Sequence, residues 1–154
     1  MRRREFVAGL AAVAVPAPSA GQAQERKRLV GFLNQATEAA TASLTASFRE
    51  KLASLGWGPD KLAIENRWAD GYSDRLPVLA AELVRLSPDI LMASSDQVAF
   101  VLRAQTTTIP IVFALGDDPV GAGLVASLAH PGGNVTGLSF AGEETVGREL
   151  QFLK

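Results

Sequence analysis

Apolar runs and helical stripes alternate along this chain. Leu29 to Leu33 is a short apolar run ending in Asn34, the pattern of a buried strand. Leu44, Phe48, Leu52 and Leu55 then recur at helical spacing, and Gly56 with Gly58-Pro59 stops the run. Leu62 to Trp68 is a second strand, in which Leu62, Ile64 and Asn66 alternate with Ala63, Glu65 and Arg67. That alternation predicts an edge strand with one wet face. Asp70-Gly71-Tyr72-Ser73 is a loop, and Asp74 is a candidate cap for a helix with the stripe Leu76, Leu79, Leu83 and Leu86. Pro77 falls near its start, where proline is tolerated.

Ser87-Pro88-Asp89 ends that helix, and Ile90 to Ala93 is the third strand. Gln97 to Gln105 reads as a helix with Val98, Val101 and Leu102 inward. Ile111 to Ala114 is the fourth strand, continuous enough to predict cover on both faces. Gly116-Asp117-Asp118-Pro119 then leads into a predicted helix carrying Val120, Leu124, Val125 and Leu128, which His130-Pro131-Gly132-Gly133-Asn134 terminates. Val135 to Phe140 is the fifth strand, and Val146, Leu150 and Leu153 mark a last helix.

Strands that alternate with helices make an α/β parallel sheet with right-handed crossovers. Ligands on such sheets bind beyond the carboxyl ends of the strands, near the switch in strand order. The rule selects Asn34 and Gln35, Ser94 and Ser95, Asp117 and Asp118, and Phe140. Ser94 and Ser95 precede a helix, where hydroxyls and free N–H groups hold a carboxylate or simply cap the helix. Asp117 is a candidate partner for a ligand ammonium, whereas Asp118 before Pro119 fits a cap. Asn34 has an amide that serves a polar ligand or bridges a turn, with Gln35 its weaker neighbour. Phe140 is an apolar wall or an ordinary core residue. Trp68 and Tyr72 fit packing better than an aromatic platform.

The first residues follow a different pattern. Arg2, Arg3 and Arg4 precede an apolar stretch from Phe6 to Val15, then Pro16, Pro18 and Ser19, then Gly21-Gln22-Ala23. This is the three-part plan of a secretory signal peptide, predicted to span residues 1–23. Its apolar stretch is shorter than the roughly 20 residues that span a bilayer. Arg3-Arg4-Glu5-Phe6 is similar to the twin-arginine export motif.

Composition narrows the chemistry. Of 154 residues, 47% are hydrophobic and 20% charged, enough apolar material for a core. A net charge of -1 without a long basic run gives nucleic-acid binding little support. The chain has no cysteine, which excludes disulfides, thiolate chemistry and a lipid-modified cysteine after the signal. His130 is the single histidine and has no carboxylate or serine partner at a motif spacing. Gly132-Gly133 is not followed by a P-loop lysine, and no G-x-G-x-x-G follows the first strand. No cofactor and no enzymatic activity are therefore expected.

An ordered series of blocks adds a resemblance. It runs from Arg3-Arg4-Glu5-Phe6 through Val30-Gly31-Phe32-Leu33-Asn34, Arg67-Trp68-Ala69-Asp70-Gly71 and Asp74-Arg75-Leu76-Pro77. It continues through 107–113, Asp118-Pro119-Val120, 123–128 and 131–137. The series resembles the ABC-transporter substrate-binding proteins common in soil alphaproteobacteria, a family that includes aromatic-amino-acid binders. The resemblance implies a five-stranded flavodoxin-like parallel sheet with helices on both faces, the N-terminal lobe of a type I periplasmic binding protein. It implies a soluble periplasmic product with no direct membrane insertion after signal removal. Its partners would be a small-molecule ligand, an amino acid or small organic acid, and an ABC permease in the inner membrane. Residues 24–141 would form the first ligand-binding lobe, and residues 142–154 the first helix of a second lobe that the chain lacks. Competing readings are an exported enzyme on a flavodoxin-like sheet and a truncated fragment without function of its own.

Overall fold

The computed structural model describes residues 26–139. Five parallel strands form one sheet: β1 (Arg28–Asn34), β2 (Leu62–Trp68), β3 (Ile90–Ala93), β4 (Ile111–Gly116) and β5 (Val135–Ser139). Their order is β2-β1-β3-β4-β5, so β2 is an edge strand, as its alternation predicts. Three α-helices connect them: α1 (Glu38–Ser54), α2 (Leu76–Arg85) and α3 (Asp96–Gln105). The path steps one way from β1 to β2 and the other way thereafter. Right-handed crossovers that reverse direction place their helices on opposite faces. Hence α2 and α3 pack together on one face, and α1 lies on the other.

The two faces are unequally covered. Under α2 and α3 lie Leu33, Leu91, Ala93, Ile111, Phe113 and Val135, all essentially inaccessible. Leu76, Ala80 and Leu83 of α2 and Val98, Ala99 and Leu102 of α3 complete this core. Each fully buried large side chain here contributes about 1.5–3 kcal/mol. Gly31 permits the close approach of α2, because a Cβ there would lie 2.9 Å from Leu91 Cδ2 and 3.3 Å from Leu83 Cδ2.

The opposite face carries Val30, Phe32, Met92, Val112 and Ala114, which the register aligns across β1, β3 and β4. Phe32 meets Phe48 of α1 edge-on at 6.3 Å, and Trp68 Nε1 donates to Thr41 Oγ1 at 3.1 Å. Met92, Val112 and Ala114 stay half-exposed, and Leu138 of β5 is 75% exposed. Cover on both faces of β4 is thus not found among the described residues. The α1 stripe is only half used: Phe48 and Leu52 are half-buried, but Leu44 and Leu55 are each 63% exposed.

Other expectations need correction. Asp74 does not cap α2; a 3-10 turn (Ser73–Arg75) runs straight into the helix, and Pro77 supplies its pre-set start. Leu86 falls past the end of α2 and is exposed. The helix predicted after Pro119 is absent: residues 117–134 form turns, with Leu124 and Val125 buried and Val120 and Leu128 exposed. Gly121 and Gly123 explain this, since each disfavours a helix by about 1 kcal/mol and Gly123 takes a left-handed φ of +72°. The predicted signal segment, Phe140 and the helix of Val146, Leu150 and Leu153 lie outside the described residues. No helix of the described residues is long and apolar enough to cross a membrane.

Asp89 locks the amino ends of β1 and β3 together. Its carboxylate accepts from Leu29 N–H at 2.8 Å, Arg28 at 2.9 Å and Arg26 at 2.7 Å, while its own N–H donates to Leu29 O at 2.8 Å. The Leu29 amide, then the two guanidiniums, hold the carboxyl at about 2 against an ordinary 3.8. A folded-state value below the unfolded one means stability is gained above the ordinary value and lost on acidification. Melting temperature should therefore fall between about pH 4 and pH 2, and Asp89→Asn should flatten that part of the profile while lowering stability at neutral pH.

Candidate functional site

The order β2-β1-β3 places the switch in strand order between β1 and β3. Asn34 and Gln35 leave β1 at its carboxyl end, and Ser94 and Ser95 leave β3 beside them. Ser94 N–H donates to Leu33 O at 3.2 Å, and Gln35 N–H donates to Ser94 Oγ at 3.2 Å. The crevice is thus closed at its floor by backbone and hydroxyl. Ser94 keeps its hydroxyl hydrogen for a further acceptor.

Asn34 is the one buried polar side chain of the described core, 6% exposed. Its Oδ1 accepts from Ala36 N–H at 3.1 Å, so the turn-bridging role is real. That bond leaves the two N–H donors of the amide. Gln35 Nε2 donates to Ser73 Oγ at 2.8 Å, and Gly71 N–H donates to Gln35 O at 2.7 Å. Gln35 Oε1 is buried without a hydrogen-bond partner. A buried acceptor left unpaired costs about 1–3 kcal/mol.

Ser95 is a helix cap: its Oγ accepts from Val98 N–H at 3.3 Å. Asp96 Oδ1 takes Gln97 N–H at 2.8 Å, so two first-turn donors of α3 are already engaged.

Asp117 and Asp118 stand past β4, one strand farther along the same edge. Asp118 Oδ1 accepts from Gly121 N–H at 2.8 Å, so it braces a turn; the helix that its place before Pro119 predicts it to cap does not form. Asp117 is exposed, and its carbonyl accepts from Ser139 Oγ at 3.4 Å, which joins the ends of β4 and β5. No hydrogen bond or ion pair among the described residues ties either aspartate to the Asn34–Ser94 group, and Phe140 lies outside those residues.

Sequence reading missed Ser73, the partner of Gln35. It sat in a loop assigned to turning alone. Trp68 Nε1 donates to Thr41 Oγ1 of α1, which fits the packing role, and Tyr72 is 63% exposed. His130 is exposed, and its backbone N–H donates to Ser127 Oγ at 2.9 Å. No group of three or more potential metal ligands occurs among the described residues. A cleft of about 520 Å³ opens at the opposite end of the sheet, lined by Arg26, Arg28, Leu55, Gly56, Trp57 and Lys61. It sits at the amino ends of β1 and β2, and its two arginines are engaged by Asp89.

The profile of the ABC transporter substrate binding protein family matches residues 37–154. The chain belongs to that family. A tyrosine-binding protein of Clostridioides difficile is 36% identical over 80 residues, which are 52% of this chain and 23% of that protein. A Vibrio cholerae conserved domain protein superposes with a TM-score of 0.71 at 31% identity, over 82% of this chain and 43% of the other. A Streptococcus pneumoniae ABC domain in complex with L-Trp superposes with a TM-score of 0.67 at 27% identity, over 73% of this chain and 38% of the other. The ligand-free, open structure of a Clostridium difficile substrate-binding protein with adhesive properties gives 0.70 at 25% identity, over 81% and 43%. The chain thus spans less than half the length of each of these relatives. The substrate-binding family and its parallel α/β lobe are those the sequence blocks imply.

The cap assignment is directly measurable. Ser95→Ala should destabilise the protein by about 1 kcal/mol in chemical denaturation, and Ser95→Asp, which caps equally well, should restore most of it.

Proposed function

We propose that this chain is the solute-capturing component of an ABC import system, and that its described lobe holds one side of an amino acid. The observation that carries the reading is the set of unclaimed polar groups at the β1/β3 switch. Ser94 keeps a hydroxyl hydrogen, Asn34 keeps its amide donors, and Gln35 Oε1 is a buried acceptor without a partner. Two donors beside one acceptor suit a carboxylate next to an N–H group. Asp117, exposed farther along the same edge, is the candidate counter-charge for an ammonium. The relatives described as tyrosine-binding and as complexed with L-Trp support an aromatic amino acid over other small solutes.

In this reading residues 1–23 direct export to the periplasm, by the twin-arginine route. Residues 24–141 are the first lobe, residues 142–154 begin a second, and an ABC permease receives the solute. The half-covered sheet face supports a lobe that works as part of a larger body. Phe140 would wall the crevice where the chain crosses between lobes.

Titration of the chain with a panel of amino acids, followed by calorimetry or thermal shift, tests the reading. Tyrosine and tryptophan should raise the melting temperature, and Ser94→Ala and Asp117→Ala should each weaken binding about tenfold, the loss of one charge-assisted hydrogen bond. A flat response to every amino acid would reject capture by this site.

A further inference from the structure

Where β4 leaves the sheet, its pairing with β5 slips. Phe113 is opposite Gly137, but Gly116 is opposite Ser139, so β4 carries one extra residue in a β-bulge. Leu115 lies inside that bulge with φ +67°. The bulge type that needs a left-handed residue normally places glycine there, because a Cβ clashes with the neighbouring carbonyl. Here glycine is available next door as Gly116, yet leucine holds the strained position.

The other two non-glycine residues with positive φ among the described residues have local explanations. Asp70 pairs with Arg75, and Ser87 follows the end of α2 with its N–H on Val84 O. Leu115 has neither a side chain that bonds locally nor a place in the core, for it is 51% exposed. A left-handed leucine costs about 1–2 kcal/mol, a cost that half-burial of its side chain offsets by about 1 kcal/mol. Backbone strain at non-glycine residues clusters at ligand-contacting sites, where the surrounding structure holds it in place.

Its position fits this. Ala93 pairs with Phe113, and Ser95 and Leu115 each lie two residues beyond that pair, Ser95 past the end of β3 and Leu115 near the end of β4, at the carboxyl edge. We propose that the bulge presents the Leu115 side chain as an apolar wall for the non-polar part of the bound solute, and so selects amino acids with large apolar side chains. The proposal rests on amino-acid capture at the β1/β3 crevice. It assigns the selecting role to a residue that the polar cluster does not include.

Three versions of the full chain separate strain from recognition: the parent, Leu115→Gly and Leu115→Ala, each titrated with L-tyrosine, L-tryptophan and glycine. Leu115→Gly removes both strain and wall, so its melting temperature should rise by about 3 °C while affinity for the aromatic ligands falls about tenfold. Leu115→Ala keeps a Cβ in the left-handed position, so aromatic affinity should fall similarly without the thermal gain. Glycine, which does not reach the wall, should bind all three alike or fail with all three. Aromatic affinity equal to the parent's in both variants overturns the assignment while leaving capture intact. A Leu115→Gly protein that melts at or below the parent temperature overturns the strain on which it stands. A parent that binds no amino acid overturns capture and this assignment together.

Discussion

Burial of one sheet face beneath α2 and α3 is the constraint on which the rest of this lobe depends. Leu33, Leu91, Ile111 and Phe113 are sealed there by Leu83, Val98 and Leu102. Because side chains alternate across a strand, that single burial fixes the register of β1, β3 and β4. The same register brings the ends of β1 and β3 level, so that Gln35 N–H meets Ser94 Oγ. The candidate site is therefore a consequence of core packing on the far side of the sheet. The Asp89 lock at the other end of β1 and β3 holds the same two strands from below.

The contrast between the faces also gives the lobe its direction. Reversal of the path after β2 sends α1, alone among the described helices, to the second face, and it reaches only its β1–β2 side through Phe48 and Trp68. The row from half-exposed Met92 to exposed Leu138 lies beyond its reach. Along the carboxyl edge, polar groups gather at the switch, and strain gathers one strand farther at Leu115. Gly137 makes that strain possible: a Cβ there would overlap the carbonyl and ring of Phe113, so only glycine lets β5 draw close at the bulge.

Much of this was legible in the sequence. All five strands, α1 to α3 and the edge place of β2 follow from apolar runs and spacing, because those patterns report burial directly. The ordered blocks named the family. The failures have a common origin in backbone conformation, which hydrophobic spacing does not report. Val120, Leu124 and Leu128 have helical spacing, but Gly121 and Gly123 favour turns. Asp74 looked like a cap, but the chain enters α2 from a 3-10 turn. At the site, Asn34, Gln35 and Ser94 were legible because strand ends are, while Ser73 as a partner and Leu115 as a strained residue required the fold.

The central claim is that the solute meets this lobe at the β1/β3 switch. Amide chemical-shift mapping of the isotopically labelled chain during titration with L-tyrosine addresses it directly. The account predicts that the largest shifts cluster at Asn34, Gln35, Ser94 and the 115–117 turn, with Arg28, Trp57 and Lys61 unmoved. Shifts confined to the Arg28–Trp57 cleft at the opposite end of the sheet, or spread evenly over the lobe, would contradict it.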